Sequence, residues 1–316
     1  MVSTGALMGY RQGMGVALAL VLAACSGSAP PPAVAEVDPV FESQNQQWRT
    51  QRYQELTAPD GWTSLVGLHW LELKAHYIGS GSTSGIRLAA GPARLGMVSR
   101  ERDAVWFTPE PGVDVRLDGQ PVRGRIRFHS DRDPQPTVLS FDDDKGRLSL
   151  IRRGNRLALR VKHADAPTRT GFTGLSYWPG GPQWRVTARY VPNDAGKTMP
   201  IVDITGMVSE QPNAGALEFE RDGRTWRLEA IGAPGDALFV VFADRTSGHG
   251  SYPAGRYIDV GHPDARSEVV LDFNRAYNPP CAFTPFATCP LPPPENRLDL
   301  RVEAGEKAYK AAEGDT

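Results

Sequence analysis

Between residues 41 and 56, Phe41, Asn45, Trp48, Arg52 and Leu56 recur at three-to-four spacing, and Pro59-Asp60-Gly61 follows directly. That period predicts an α-helix ended by a turn, with a buried stripe that Asn45 and Arg52 make only partly apolar. After Gly85 the period changes. Short runs rich in β-branched and aromatic residues, punctuated by Gly, Pro, Asn and Asp, predict strands. The runs 216–220 and 225–229 flank Arg221-Asp222-Gly223-Arg224, the runs 147–152 and 156–162 flank Gly154-Asn155, and 113–117 turns at Asp118-Gly119. Each is a hairpin signal. The stretch ALFVVFA at 237–243 is too continuously apolar for a half-exposed strand and predicts a central one buried on both faces. Successive hairpins without intervening helices predict a mainly β protein of antiparallel sheets, sandwich or barrel-like, with one N-terminal α-helix. No repeat of fixed period points to a propeller or solenoid.

Gly and Pro accumulate over residues 164–182. They divide the pattern into a helix and β unit over 41–163, a C-terminal β unit over 183–306 and a tail over 307–316. The N-terminus follows a different rule. Residues 1–24 carry one basic residue, Arg11, no acidic residue, and an apolar run from Met14 to Ala24. The run is shorter than the roughly 20 residues that span a bilayer and has the form of a secretory signal. It ends in Leu22-Ala23-Ala24-Cys25, the form of a bacterial lipobox, which predicts cleavage before Cys25 and diacylation of that residue. Two acyl chains suffice for stable anchoring where one does not. Ser26, in place of an aspartate, predicts sorting to the outer membrane, facing the periplasm, in a host with two membranes. Residues 25–40 lack hydrophobic periodicity and predict a linker with a reach of about 45 Å if extended. With 35 Lys and Arg against 36 Asp and Glu, the chain lacks the basic excess that a nucleic-acid partner requires.

The most unusual stretch is DFNRAYNPPCAFTPFATCPLPPPENRL at 272–298, followed by Ala304-Gly305-Glu306. Upstream stand GWTSLVGLHWL at 61–71, Phe172-Thr173-Gly174, and Asp244-Arg245-Thr246 with Gly248, Ser251-Tyr252 and Gly255-Arg256. In order and spacing these resemble the bacterial and archaeal family called domain of unknown function 1684, over roughly residues 48–306. The resemblance implies a mainly β domain and brings no activity, substrate or catalytic residue with it.

Chemistry is therefore argued from the residues. With Cys25 assigned to lipid, Cys281 and Cys289 are the remaining thiols, and an oxidising compartment predicts a disulfide between them. A free, activated thiol and a metal pair are the alternatives, the latter disfavoured by the seven residues between them. No metal or cofactor is expected. Asp272, Asn274, Arg275, Glu295, Asn296 and Arg297 flank the proline-rich segment. Such groups either orient a ligand or satisfy the backbone that the prolines leave without strand partners. The glycine-punctuated loop from Asp244 to Tyr252, containing Thr246 and His249, leaves the apolar strand at a place where function often resides. No nucleophile elbow, paired zinc histidines or phosphate loop occurs in the sequence.

These observations predict a lipid-anchored envelope protein that binds a small polar ligand beside the proline and cysteine segment. The candidate ligand contacts are Thr246, Tyr252, Arg256, Asn274 and Asn296. Whether the chain is an enzyme is left open: the alternatives are a hydrolase with Asp244 or Glu295 as acid or base and Arg275 as clamp, and a purely structural envelope component.

Overall fold

The computed structural model describes residues 38–102 and 104–310. The expected leader over 1–24, Cys25 and the linker up to residue 37 lie outside the described residues. The helix forms as predicted and starts slightly earlier, at Pro39–Thr57, because Asp38 accepts from Val40 N at 2.9 Å and Pro39 occupies the first turn. Its buried residues are Phe41, Asn45, Arg52 and Leu56, so the two polar members of the stripe are genuinely interior.

Antiparallel pairing organises nearly everything else. Six strands run in the order Leu65–Trp70, Arg156–His163, Gly146–Arg153, Val138–Phe141, Val115–Leu117 and Gln120–Pro121. Five others form a second sheet around Ala75–Gly79, Gly96–Glu101 and Ala104–Pro109, with a parallel edge at Ile86–Arg87. The two sheets share one core. Ile78, Val98 and Phe107 from the second pack with Leu139, Leu148, Leu150 and Leu159 from the first. A four-stranded sheet, ordered Arg224–Ala230, Gly215–Arg221, Arg185–Pro192 and Glu268–Asp272, supports a second core around Leu217, Leu228, Leu271 and Phe273. No sheet closes into a barrel among the described residues. The predicted hairpins at 221–224 and 154–155 are present, the first turning with positive φ at Asp222 and Gly223, as tight hairpin turns demand. The segment 164–182 contains a short helix, Pro167–Thr170.

The apolar run at 237–243 departs from expectation. Leu238–Phe242 forms a ladder with Arg256–Val260 alone, as a two-stranded ribbon, and on its other edge keeps a single bridge, Phe239 to Ile231. It is buried on both faces as expected, Leu238, Val240 and Phe242 in the second core and Val241 against Leu65 and Tyr257, while irregular chain completes its backbone pairing: Asn296 Nδ2 donates to Val241 O at 2.9 Å, and Ala243 N donates to Asn296 O at 3.0 Å. The proline-rich segment replaces a neighbouring strand.

Arg52 reaches from the helix to that segment. Its Nε donates to Glu306 at 2.9 Å and a terminal nitrogen donates to Asn278 O at 3.0 Å, while Asn278 N donates to the other Glu306 oxygen at 2.7 Å. Burial raises the Glu306 carboxyl above the usual carboxylate range, and Arg52 and the Asn278 amide offset that only in part. Gly305 makes the turn possible: at φ +77, a Cβ there would stand 2.4 Å from Ala276 O.

Removing one partner of a buried pair strands the other. Glu306→Ala is expected to cost about 3–5 kcal/mol in urea unfolding, whereas Arg301→Ala, at an exposed pair, is expected to stay within about 0.5 kcal/mol.

Candidate functional site

The carboxylate that the sequence singles out, Asp244, is saturated. One oxygen accepts from Thr246 Oγ1 at 3.0 Å and Arg256 at 3.2 Å; the other accepts from Thr246 N, Thr246 Oγ1 and Val302 N at 3.0, 2.8 and 2.8 Å. The Asp244 and Arg256 side chains are both 0% exposed. Arg256 also donates to the carbonyls of Val302, Ala304 and Glu306. Burial draws its pKa down and Asp244 opposes that shift. Thr246 is completed by Ser251, which in turn accepts from Trp178 Nε1. Asp244, Thr246 and Arg256 therefore meet, but to hold chain rather than ligand: a carboxylate with every acceptor site occupied has none left for proton transfer.

The expected ligand contacts at the proline-rich segment share this fate. Asn274 closes a ring of hydrogen bonds with both backbone groups of Gly181 and with Asp272. Asn296 accepts from Glu229 N and donates to Glu229 O and Val241 O. Both are buried, satisfying backbone that has no strand partner. Arg275 lies at the surface beside Asp272 at 3.6 Å, and Glu295 is exposed. Neither touches Asp244 among the described residues. Tyr252 does link the two stretches, donating to Cys281 O at 3.0 Å.

Cys281 and Cys289 adjoin but are free thiols in this structure rather than the expected disulfide, with Cys281 N donating to Cys289 Sγ at 3.1 Å. The Cys289 contact and the Tyr252 hydroxyl draw the half-buried Cys281 thiol down. The Cys281 contact and burial push Cys289 up. Among the described residues, no group of three or more His, Cys, Asp or Glu side chains is placed to hold a metal ion. No described helix is long and apolar enough to cross a membrane.

A cleft of about 470 Å³ opens nearby, where the helix, the turn after it, the Arg156–His163 strand and the proline-rich segment converge. Trp48, Arg52 and Glu55 come from the helix, Asp60 and Trp62 from the turn, and Lys162, Asp259 and Tyr277 from the remaining wall. The turn is tight enough to require Gly61, whose Cβ would sit 2.4 Å from Leu56 O. Strand alternation sets the cationic floor. Leu157, Leu159 and Val161 enter the first core, so Arg160 and Lys162 project from the other face. Both lie over the Trp62 ring, at 5.3 Å and 4.9 Å from its centroid, in cation–π geometry.

Lys162 makes no ion pair among the described residues; its ammonium donates to the Asp60 carbonyl. Burial lowers its pKa, partly offset by the Asp60 charge. Across the cleft, the Arg52 guanidinium lies 4.6 Å from the Tyr277 centroid. Burial and the neighbouring Asp259 push the Tyr277 phenol far above its usual range. The floor thus presents an unpaired cation on an aromatic ring, and the rim presents carboxylates from Glu55, Asp60 and Asp259. Of these residues the sequence marks Trp48 and Arg52 as helix stripe, Asp60 as turn, and the segments that carry Trp62 and Tyr277 as motifs, but none of them as a ligand contact. The cation pair had a legible signal: Arg160 and Lys162 alternate with core residues on a strand flanked by others. A larger recess, about 600 Å³, borders Gly248, Ser251 and Lys307, where the described chain approaches its end.

Residues 170–307 match the model of a family described as Protein of unknown function (DUF1684). An uncharacterised protein of Haloarcula marismortui, solved in solution by NMR, is 35% identical, with 44% of this chain and 78% of that one covered and a TM-score of 0.37. No curated protein matches.

Lys162 should titrate before the other lysines. In an NMR titration of the lysine side chains, one resonance is expected to deprotonate below the usual 10.5, and to be missing in Lys162→Met. Since the folded state then releases its proton first, stability should rise with pH between that lowered value and 10.5, and the variant should lose the rise. Ordinary titration of every lysine would contradict this environment.

Proposed function

Because the chain belongs to the DUF1684 family, a family without a described activity, we propose a function from the geometry alone: it binds a small polar ligand carrying an acidic group in the cleft between the helix and the proline-rich segment. The single observation carrying this reading is Lys162, a half-buried ammonium without a carboxylate partner, held above Trp62 on the cleft floor. An incoming carboxylate or phosphate supplies the missing counter-charge in a partly dry site, where a charge-assisted hydrogen bond is strong. Trp48, Trp62 and Tyr277 give flat apolar surface, and Glu55, Asp60 and Asp259 at the rim suit hydroxyl or amino substituents on the same ligand.

The proposal extends to location. Cys25 is the lipidated residue, the preceding leader is removed, and the linker lets the folded part stand clear of the envelope membrane. Hydrolysis by Asp244 or Glu295 with Arg275 finds no support in the geometry, because Asp244 is sealed and the other two are apart from it.

Titrating the protein with small carboxylates, phosphates and neutral sugars of matched size, read by tryptophan fluorescence, tests the ligand class. At least one acidic compound is expected to bind, and Lys162→Met is expected to weaken it roughly 10- to 100-fold. Equal binding of neutral compounds, or an affinity indifferent to Lys162→Met, would remove the acidic-ligand reading. For location, Cys25→Ser is expected to move the protein out of the membrane fraction. Retention of that variant in the fraction would rule out the anchor.

A further inference from the structure

A second concave site lies where two adjoining recesses of about 120 and 190 Å³ share Arg132, Arg153, Asp203 and Ser209. Their walls come from the Gly154 turn, the loop at 131–133, the hairpin Thr198–Val202 with Val208–Pro212, and the proline-rich segment at Thr288 and Pro290. The hairpin is fastened to that segment: Ile204 N donates to Cys289 O at 2.9 Å and Leu291 N donates to Val202 O at 2.8 Å. Met207 closes one side against Gly154, where a Cβ would stand 2.9 Å from its methyl.

Two features coexist there that usually separate. The floor is apolar, made by Ile201, Ile231, Phe239 and Pro290, with Ile231 and Phe239 only half-buried. The mouth is cationic. Arg153 is held at 2.6 Å by Asp131 and donates to Thr288 Oγ1 at 2.9 Å. Arg132 and Arg152 make no ion pair among the described residues. The local carboxylates are largely engaged: Asp131 with Arg153 and the Arg152 amide, Asp133 with Ser130, and one Asp203 oxygen with Thr205 and Met207. Apolar surface left open beneath guanidinium groups suits a molecule with a greasy body and an acidic end, because burial of the body and bidentate pairing of the end act together.

We infer that this groove binds an amphiphilic anion, a single acyl chain ended by a carboxylate, with the carboxylate between Arg132 and Arg153 and the chain along Phe239 and Ile231. The site is separate from the Lys162 cleft and needs no acidic ligand there. Decanoate, kept below its micelle concentration, is the probe, compared by calorimetry with decanol and with acetate. Decanoate is expected to saturate one site per chain. Decanol and acetate should each bind roughly tenfold more weakly or worse. Arg132→Met, which removes no hydrogen bond from the fold, should weaken decanoate by a similar factor. The Met207 methyl resonance should shift on binding while the Trp62 indole stays still. Decanol binding as tightly as decanoate, acetate binding as tightly, no saturation by decanoate, or full affinity in Arg132→Met would each overturn the inference.

Discussion

The structure depends on two buried arginines that take the place of a β-ladder. From Phe273 to Glu306 the chain is too rich in proline to pair as a strand, yet it passes through the interior, and its carbonyl and amide groups must be satisfied there. Arg256 spends its donors on the carbonyls of Val302, Ala304 and Glu306, and Asp244 supplies both its counter-charge and an acceptor for Val302 N. Arg52 does the same from the helix through Glu306 and Asn278. Burying charges is costly and is offset by pairing and hydrogen bonding; here both guanidinium groups are paired with a carboxylate, and Arg256 Nε and Asn278 Oδ1 are the buried atoms of the network left without a partner among the described residues. Specificity of chain path, rather than net stability, is what such a network supplies.

That constraint places the cleft. Tyr277 forms a wall because its backbone pairs with Tyr257 and its neighbour Asn278 is held by Glu306 and Arg52, and the same bonds hold Arg52 over the ring. The helix is docked by its polar stripe, so Trp48 and Glu55 reach the opening. The first core contributes separately, since packing Leu159 and Val161 inward obliges Arg160 and Lys162 to face the other way. A polar site thus arises where two cores meet an irregular segment, with each wall anchored by a different kind of interaction.

Much of this was legible in the sequence. The helix, its partly polar stripe, the Asp222-Gly223 and Gly154-Asn155 turns and the antiparallel class all follow from periodicity and turn chemistry, which act over a few residues. The roles of Asp244, Arg256, Asn274 and Asn296 did not follow. Their residue types suit a ligand site and a buried hydrogen-bond network equally, and the difference lies in partners such as Val302 and Gly181 that are distant in the chain. The ribbon at Leu238–Phe242 was mistaken for a central strand for a related reason: apolar continuity reports burial and is silent about what does the burying. Lys162 went unnoticed because a single lysine in a hairpin reads as surface until the sheet's two faces are known.

The most direct test of the central claim, that the ligand site is the Lys162 cleft and the Asp244 network is scaffold, is an indole N–H NMR spectrum of the seven tryptophans during titration with an acidic ligand. The account predicts that Trp62 and Trp48 shift while Trp178, which donates to Ser251 beside the Asp244 network, stays in place. A shift of Trp178 with Trp62 unmoved would contradict it and return the site to the Asp244 loop.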